Sequence, residues 1–277
     1  MMRTDQLSQH LVDELAPLLG AGETASVARL VLEDLFGWRH GQRPRLLSQD
    51  EEILAWATLN RLKAGEPTQY VTGVADFYGL RLRVSPAVLI PRPETEELVE
   101  WILEEHPADT PLRVLDLGTG SGCIALALKA RRPGWHVTGY DVSPDALEVA
   151  TSNAHALGLE VTFNRFNVLE DQASGHWDLI VSNPPYIPPS ERAVMDAATL
   201  AHEPALALFV PEGDPLLFYR RIFALARQTA PTQVYVETNE FSNDQVLALL
   251  ASAGAQNARR RQDMRGKWRM VAGGVNA

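Results

Sequence analysis

Residues 112–122 read Leu112-Arg113-Val114-Leu115-Asp116-Leu117-Gly118-Thr119-Gly120-Ser121-Gly122, an apolar run followed directly by a glycine-rich turn. The apolar run predicts a buried β-strand. A helix is predicted after the turn from the apolar residues Ile124, Ala125, Leu126 and Leu128. Glycines in such a turn let the backbone approach a ligand closely, and the helix N-terminus offers unpaired N–H groups. This order of elements is typical of the ligand-binding turn of a parallel α/β sheet.

Asp141 supports a cofactor-binding role for this turn. It directly follows the next predicted strand, 136–140, and a carboxylate at that position can accept hydrogen bonds from ribose hydroxyls. A dinucleotide fingerprint would place the third glycine three positions after the second, but Gly122 follows Gly120 by two. The resulting G-x-G-x-G form, preceded by Asp116, resembles motif I of the class I methyltransferases, which bind S-adenosylmethionine. A turn with only a structural role is the alternative.

Strand and helix patterns alternate along the later part of the chain. Further strands are predicted at about 161–166, 178–182 and 233–237, with helices between them. This alternation predicts an α/β fold with a mainly parallel sheet covered on both faces. The tail, at about 256–262 and 267–273, predicts an antiparallel hairpin that closes one edge of the sheet.

The N-terminal part shows mainly helical spacing. Ser48, followed three residues later by Glu51, forms a capping-box pattern that begins a helix, and Gly65-Glu66-Pro67 ends it. Residues 70–73 and 77–84 alternate like a short hairpin. The sequence thus predicts two kinds of structure before the α/β part, a set of helices and then a hairpin.

These patterns define the expected domains. A small helical domain is predicted over residues 1–84, with a short hairpin linker that extends to about residue 91. Pro86, Pro91 and Pro93 stiffen this connection. The second domain is predicted over residues 92–277.

The fourth predicted strand runs into Asn183-Pro184-Pro185-Tyr186. In an open parallel sheet the ligand crevice lies where the strand order reverses, so this strand is expected beside the first and Asn183 beside the glycine turn. The side-chain carbonyl of Asn183 and the backbone carbonyl of Pro184 can accept hydrogen bonds from both N–H groups of a substrate NH2 group. Tyr186 can stack on a flat amide or base. Residues 183–186 therefore predict methylation of an amide or exocyclic amine nitrogen; a rigid proline turn without chemistry is the alternative.

Composition narrows the classes of protein that remain. The 277 residues are 45% hydrophobic and carry a net charge of −10, which is atypical of proteins that bind long nucleic acids. The single cysteine, Cys123, excludes an intramolecular disulfide and is interpreted as a packing residue, so a cytoplasmic location is expected. No membrane span and no metal site are predicted from the apolar runs and the histidine spacing.

Two further sets of residues are interpreted as structural. A solvated hairpin edge accounts for the one dense basic stretch, which comprises Arg259, Arg260, Arg261, Arg265, Lys267 and Arg269. Apolar patterns surround three tryptophans that are therefore predicted to lie in the core, namely Trp56, Trp101 and Trp177.

The chain as a whole resembles the HemK/PrmC family, the N5-glutamine methyltransferases of peptide chain release factors. The resemblance extends from the N-terminal helices to the closing hairpin and is carried by several segments. These are Gln69–Gly73, Phe77–Gly79, Val88–Val99, Asp116–Gly122, Asp141, Asn183–Ile187, His202–Pro204, Leu206–Leu208, Asp263 and Arg269.

This resemblance implies a class I, Rossmann-like methyltransferase domain with a mainly parallel seven-stranded sheet and an antiparallel C-terminal hairpin. It implies that the small N-terminal helical domain helps to recognise the substrate. The implied reaction is methylation of the side-chain amide nitrogen, N5, of the glutamine in the Gly-Gly-Gln motif of class-1 release factors, which supports translation termination. S-adenosylmethionine is the implied cofactor. The release factor is the implied partner of a monomer that has no stable nucleic-acid or membrane partner.

The candidate site residues form three overlapping groups. The catalytic group is Asn183, Pro184 and Tyr186, and the substrate-binding group adds Pro185. The cofactor-binding group is Gly118, Thr119, Gly120, Ser121, Gly122, Asp141, Val142, Asn167, Val168 and Asn183. A lip on the cofactor side of the cleft is implied for Arg92, Glu94 and Thr95, which also suit a helix cap and hinge.

Three stretches depart from the pattern of the family, and one of them, Gly213-Asp214-Pro215 with a single glycine, changes little. At Asn167-Val168 the family usually has an acidic residue followed by a large apolar or aromatic one, so Val168 is expected to cover the adenine less well. After Glu237 the family has a glycine two residues later, whereas this chain has Thr238-Asn239-Glu240. The loop beyond that strand is therefore expected to differ.

Other functions use similar motifs. A nucleic-acid methyltransferase acting on adenine N6 or guanine N2 would use the same 183–186 loop with a flipped base against Tyr186. The acidic net charge and the 91–96 segment favour a protein substrate. A non-catalytic binding subunit or a dinucleotide-binding oxidoreductase is a third hypothesis, which the intact 183–186 loop argues against.

Overall fold

The computed structural model describes residues 1–172 and 174–276, which divide into two units. The first unit comprises Met1–Val74 together with Asp196–His202, and the second comprises Ala75–Met195 and the chain from Glu203 onward. The expected boundary lay later, at residues 84 to 91. A role of the first unit in substrate recognition stays a prediction.

The secondary structure follows the chain in a regular order. The helices are α1 (Thr4–Leu19), α2 (Ala21–Phe36), α3 (Gln49–Lys63), α4 (Thr68–Thr72), α5 (Pro93–Glu105), α6 (Cys123–Arg131), α7 (Pro144–Leu157), α8 (Ala197–His202), α9 (Ala205–Leu208), α10 (Leu217–Thr229) and α11 (Asn243–Ser252), and a 3-10 helix spans Pro189–Val194. The strands are β1 (Val74–Phe77), β2 (Leu80–Arg83), β3 (Arg113–Leu117), β4 (His136–Asp141), β5 (Thr162–Arg165), β6 (Leu179–Ser182), β7 (Thr232–Glu237), β8 (Ala255–Gln262) and β9 (Trp268–Val275). None of the described helices is long and apolar enough to span a lipid bilayer.

Helix α3 begins with the capping box that the sequence predicts. The Glu51 N–H donates to Ser48 Oγ at 3.2 Å, and the Ser48 N–H donates to the Glu51 carboxylate at 2.8 Å. The prediction that Trp56 lies in the core is wrong, because its side chain is 49% exposed. Ala55 and Leu59 define the buried face of α3, and a residue one position after Ala55 points about 100° away from it.

The segment before the second domain is partly helical. The prediction of an extended Tyr70–Gly73 segment is wrong, since α4 covers Thr68–Thr72 and Gly73, in the left-handed region at φ 76°, ends it. A hairpin is present, but it lies later than predicted, because β1 at Val74–Phe77 pairs with β2 at Leu80–Arg83. Tyr78 and Gly79 both have positive φ, which is the backbone of a two-residue hairpin turn.

Seven strands of the described residues form one mixed sheet in the order β5-β4-β3-β6-β7-β9-β8. The pairs from β5 to β7 are parallel, and β9 runs antiparallel to both β7 and β8. This confirms the predicted sheet and its closing hairpin. The strand order reverses between β3 and β6, which pair in parallel register up to Leu117 and Ser182. The turns that follow these two strands are therefore neighbours.

The two faces of the sheet bury separate apolar clusters. On one face Leu98 of α5 and Leu128 of α6 lie in one cluster with Val114, and on the other Ile222 of α10 lies in a second cluster with Leu115. Successive residues of β3 thus point to opposite faces, as expected of a strand covered on both sides. Trp101 and Trp177 are buried in these clusters, as predicted.

Candidate active site

A cavity lies at the carboxyl ends of β3, β4 and β6. Leu117, Asp141 and Ser182, the last residues of these strands, contribute to its wall. The other lining residues are Ala87–Leu89, Pro91, Arg92, Thr95, Gly118–Ser121, Cys123, Ile124, Val142, Ser143, Ala146, Phe166–Leu169, Asn183–Pro185, Pro204, Leu206, Ala207, Phe218 and Ile222. The structure thus brings together most of the residues that the sequence singles out.

The glycine turn after β3 is tied to the end of β4. The N–H groups of Gly118 and Thr119 donate to the Tyr140 carbonyl at 2.8 and 2.9 Å, and the Gly120 N–H donates to the Asp141 carboxylate at 2.9 Å. Gly118 and Gly120 have φ of 73° and 55°, which side chains rarely adopt. A Cβ on either would meet no described atom within 4 Å, so the turn faces open space.

Asp141 can hold two ribose hydroxyls in addition to the turn. Its Oδ1 accepts from the Ser143 N–H at 3.0 Å and its Oδ2 from the Gly120 N–H. Each oxygen keeps a further acceptor site, since a carboxylate offers about four lone-pair directions. Burial raises the pKa of Asp141, and the backbone N–H groups oppose that shift. This donor and acceptor set fits a nucleoside.

The segment after β5 lies against α10. Asn167 Oδ1 accepts from the Leu169 N–H at 3.0 Å, and the Arg221 side chain donates to the Val168 carbonyl at 2.9 Å. Asn167 and Val168 line the cavity, and Phe218 of α10 lines it as well. The sequence pattern does not single out Phe218; its signal is the spacing of Phe218 and Ile222 on one face of an amphipathic helix.

The Asn183-Pro184-Pro185-Tyr186 turn follows β6. The Ser182 hydroxyl donates to the Leu117 carbonyl at 2.7 Å and so fastens the start of this turn to the end of β3. Asn183, Pro184 and Pro185 line the cavity. Tyr186 is not part of the described lining; its ring packs against the apolar cluster beneath α10, and its hydroxyl donates to Glu237 at 3.3 Å.

Glu237, at the end of β7, is a buried carboxylate that the sequence pattern does not assign to the site. It is 2% exposed, and its Oε2 accepts from the Thr95 hydroxyl at 2.6 Å. Burial raises the pKa of Glu237 to about 7, while the Thr95 hydroxyl, Arg269 and the Tyr186 hydroxyl oppose the shift. The signal in the sequence is a lone acid that directly follows the apolar residues Val234-Tyr235-Val236 at the end of a strand.

The predicted lip divides into residues at the cavity and one outside it. Arg92 and Thr95 line the cavity. Arg92 forms an ion pair with Glu203, whose side chain is buried and also accepts from the Ile90 N–H at 3.2 Å. Glu94 instead faces Arg265, with 3.5 Å between the charged atoms.

Gly122, predicted to bind the cofactor, forms the N-cap of α6.

Comparison with known proteins shows the family to which this chain belongs. The chain is 37% identical to the release factor glutamine methyltransferase of Flavobacterium psychrophilum over 270 residues, which covers 94% of this chain and 95% of that protein. It is 38% identical to the enzyme of the same name from Deinococcus radiodurans, over 96% of this chain and 97% of that protein. The chain belongs to the release factor glutamine methyltransferase family.

Two other comparisons agree with the fold of this family member. The model of the methyltransferase small domain matches residues 95–221, which include the glycine turn and the Asn183 turn. The structure of a human methyltransferase 10 domain containing protein superimposes with a TM-score of 0.54 at 18% identity, covering 83% of this chain and 99% of that chain. The second likeness concerns the fold alone.

We predict that Gly139→Ala weakens binding of S-adenosylmethionine. A Cβ at Gly139 would lie 2.6 Å from the Phe163 ring and 2.7 Å from Thr119 Oγ1, so the glycine turn must shift. We expect the dissociation constant, measured by isothermal titration calorimetry, to rise about tenfold or more. Gly134→Ala is the matched control, because a Cβ there meets no described atom within 4 Å. Equal affinities of the two variants would contradict this role of Gly139.

We predict that Glu237→Gln changes the pH dependence of stability. Native Glu237 keeps its proton up to a pKa of about 7, whereas the ordinary carboxyl value is 4.5. Between these two pH values Glu237 is protonated in the native state and ionised in the unfolded state. The free energy of unfolding of the wild type therefore falls as pH rises, and above pH 7 this decrease is complete. The glutamine variant lacks this loss.

Its free energy of unfolding, relative to wild type, should therefore rise by about 3 kcal/mol from pH 4.5 to pH 8. Urea denaturation at several pH values measures this difference. Glu160→Gln, at an exposed position, is the control. A difference between Glu237→Gln and wild type that stays constant with pH would contradict the prediction.

Proposed function

We propose that this chain transfers a methyl group from S-adenosylmethionine to the side-chain amide nitrogen, N5, of the glutamine in the Gly-Gly-Gln motif of class-1 peptide chain release factors. The observation that carries the proposal is the position of Asn183 and Pro184 in one cavity with the glycine turn. Membership of the release factor glutamine methyltransferase family supports the choice of substrate.

Asn183 and Pro184 activate the acceptor nitrogen in this proposal. An amide nitrogen is a poor nucleophile because its lone pair is delocalised into the carbonyl group. The Asn183 side-chain carbonyl and the Pro184 backbone carbonyl accept hydrogen bonds from the two N–H groups. These hydrogen bonds draw positive charge from the nitrogen as it attacks and orient it. The neighbouring prolines restrict the backbone, so these acceptors need little reorganisation. The proton leaves after transfer, and no strong general base is needed.

The cofactor lies along the glycine turn in this proposal. Residues 118–121 would hold its methionine end, Asp141 would accept hydrogen bonds from its ribose, and Asn167 with Val168 would contact its adenine. Phe218 adds apolar cover that Val168 lacks. The sulfonium group supplies an activated methyl group when the cofactor is bound. Tyr186 supports the substrate pocket from the side of Glu237.

A nucleic-acid substrate is the second candidate, and the C-terminal basic stretch argues against it. Every basic side chain of that stretch lies within 4 Å of an acidic one. The pairs are Arg259–Glu105, Arg260–Asp244, Arg261–Glu104, Arg265–Glu94, Lys267–Glu240 and Arg269–Asp263. Paired charges contribute little to the binding of phosphates, which requires uncompensated positive charge.

The N-terminal unit contacts the release factor in this proposal. Helix α3 exposes Ile53, Leu54 and Trp56, and exposed apolar side chains close together are typical of protein-binding surfaces. We place the activity in the cytoplasm, where translation terminates, and expect a monomer.

A methyl-transfer assay tests the proposal. Labelled S-adenosylmethionine is supplied with unmethylated release factor, with the same factor carrying a substituted Gly-Gly-Gln glutamine, and with tRNA, rRNA and DNA. We expect label on unmodified release factor alone. Because Asn183→Ala removes one acceptor of the reacting NH2 group, kcat should fall by about 10²–10³-fold. Asn276→Ala, at an exposed position after β9, is the control and should retain activity.

Two results would contradict the proposal. Label that reaches release factor equally well when the glutamine is substituted would show a different acceptor. Label that enters RNA or DNA in an Asn183-dependent way, while release factor stays unlabelled, would establish the nucleic-acid function instead.

A further inference from the structure

A chain of hydrogen bonds connects the buried Glu237 to the side chain of Asn183. The Asn183 side-chain NH2 donates to Thr95 Oγ1 at 3.1 Å, and the Thr95 hydroxyl donates to Glu237 Oε2 at 2.6 Å. The three residues come from the start of α5, the turn after β6 and the end of β7. The three residues therefore meet only when α5, β6 and β7 are assembled.

The order of donors in this chain determines which way the Asn183 amide faces. A hydroxyl has one proton, and the Thr95 proton is directed to the carboxylate of Glu237. Toward Asn183 the Thr95 oxygen can then only accept, so it must face the NH2 end of the amide. The opposite orientation would place two acceptor oxygens 3.1 Å apart. With the NH2 end held by Thr95, the carbonyl oxygen of Asn183 is the end left for a substrate N–H.

Two hydroxyl groups and two charged side chains act on the Glu237 carboxyl group, whose pKa burial raises. Its other oxygen, Oε1, accepts from the Tyr186 hydroxyl at 3.3 Å. The charged groups that act on it are Arg269 of β9, which favours the ionised form, and Glu94 of α5, which disfavours it. Arg269 itself lies 3.3 Å from Asp263. The two hydroxyl donors and Arg269 favour the carboxylate as an acceptor, and burial and Glu94 oppose it.

We propose that Thr95 and Glu237 are positioning residues, which fix the amide of Asn183 so that its carbonyl oxygen faces the acceptor nitrogen of the substrate. This inference rests on the proposed function, because it concerns how Asn183 meets an NH2 group. It gives Thr95, one of the predicted lip residues, the role of orienting Asn183 in the 183–186 turn. It also gives Glu237, the buried acid at the end of β7, a role in the reaction.

Protonation of Glu237 removes this control. A protonated carboxyl can donate to Thr95 Oγ1, and the Thr95 proton is then free to turn toward Asn183. The amide can reverse and present its NH2 group to the substrate, where two donors oppose each other. Since burial raises the pKa of Glu237 to about 7, the free enzyme loses the active orientation as pH falls below neutrality.

Two substitutions at Thr95 separate its hydroxyl from its packing. Thr95→Val keeps the shape and removes the hydroxyl, whereas Thr95→Ser keeps the hydroxyl and removes a methyl group. We expect Thr95→Val to lower kcat for release factor about tenfold or more, with KM changed by less than about threefold. The reason is that a misoriented Asn183 amide affects the reacting nitrogen in the methyl-transfer step more than it affects substrate binding. Thr95→Ser should stay within about threefold of wild type for both constants.

Thr229→Val is the matched control for these variants. Thr229 is also a buried threonine, and its hydroxyl donates to the Leu225 carbonyl at 3.2 Å within α10. It should leave kcat unchanged. Circular dichroism and calorimetric titration with S-adenosylmethionine establish that each variant is folded and binds the cofactor.

Glu237→Gln tests the carboxylate through the pH profile of kcat/KM. Wild type should lose activity below an apparent pKa near 7. The glutamine carbonyl still accepts from Thr95 but does not titrate in this range, so the acid limb should be lost or move to lower pH.

Three results would overturn the inference. They are equal kcat for Thr95→Val and wild type, a Thr95→Ser variant as impaired as Thr95→Val, and a pH profile that Glu237→Gln leaves unchanged. Failure of the proposed function is distinguishable from these, because wild type would then transfer no methyl group to release factor at any pH.

Discussion

The parallel pairing of β3 with β6 is the constraint on which the site depends. The two strands end together at Leu117 and Ser182, and the Ser182 hydroxyl donates to the Leu117 carbonyl at 2.7 Å. The chain leaves one strand through the glycine turn and the other through the Asn183 turn. A parallel sheet whose order reverses at this point cannot separate these turns. The cofactor-binding groups and the acceptors of the substrate NH2 group therefore share one cavity.

Two buried carboxylates organise the neighbouring turns, and each accepts a hydrogen bond from a threonine at 2.6 Å. Asp116 holds Thr119 of the glycine turn, and Glu237 holds Thr95, which in turn contacts Asn183. Burial raises the pKa of both acids to about 7. Buried acids with strongly shifted pKa values oppose stability at neutral pH and are typical of functional sites.

The sequence predicts those parts of the structure that local patterns determine. Strand periodicity, the glycine turn and the position of Asp141 follow from short stretches, and the topology rules for parallel sheets then place Asn183 beside the turn. Local patterns do not contain the contact between Thr95 and Glu237, which are 142 positions apart. Helical spacing alone also could not show that Trp56 lies outside the buried face of α3, since that face depends on which helices pack against it.

A crystal structure of the protein with S-adenosylhomocysteine and a Gly-Gly-Gln peptide would show where the substrate glutamine binds. In the proposed reaction the cavity receives a glutamine amide whose nitrogen is held by Asn183 and Pro184 beside the cofactor. We expect the amide nitrogen to lie about 3 Å from both Asn183 Oδ1 and the Pro184 carbonyl oxygen. A glutamine bound away from the 183–186 turn, or one whose amide carbonyl oxygen faces Asn183, would contradict it.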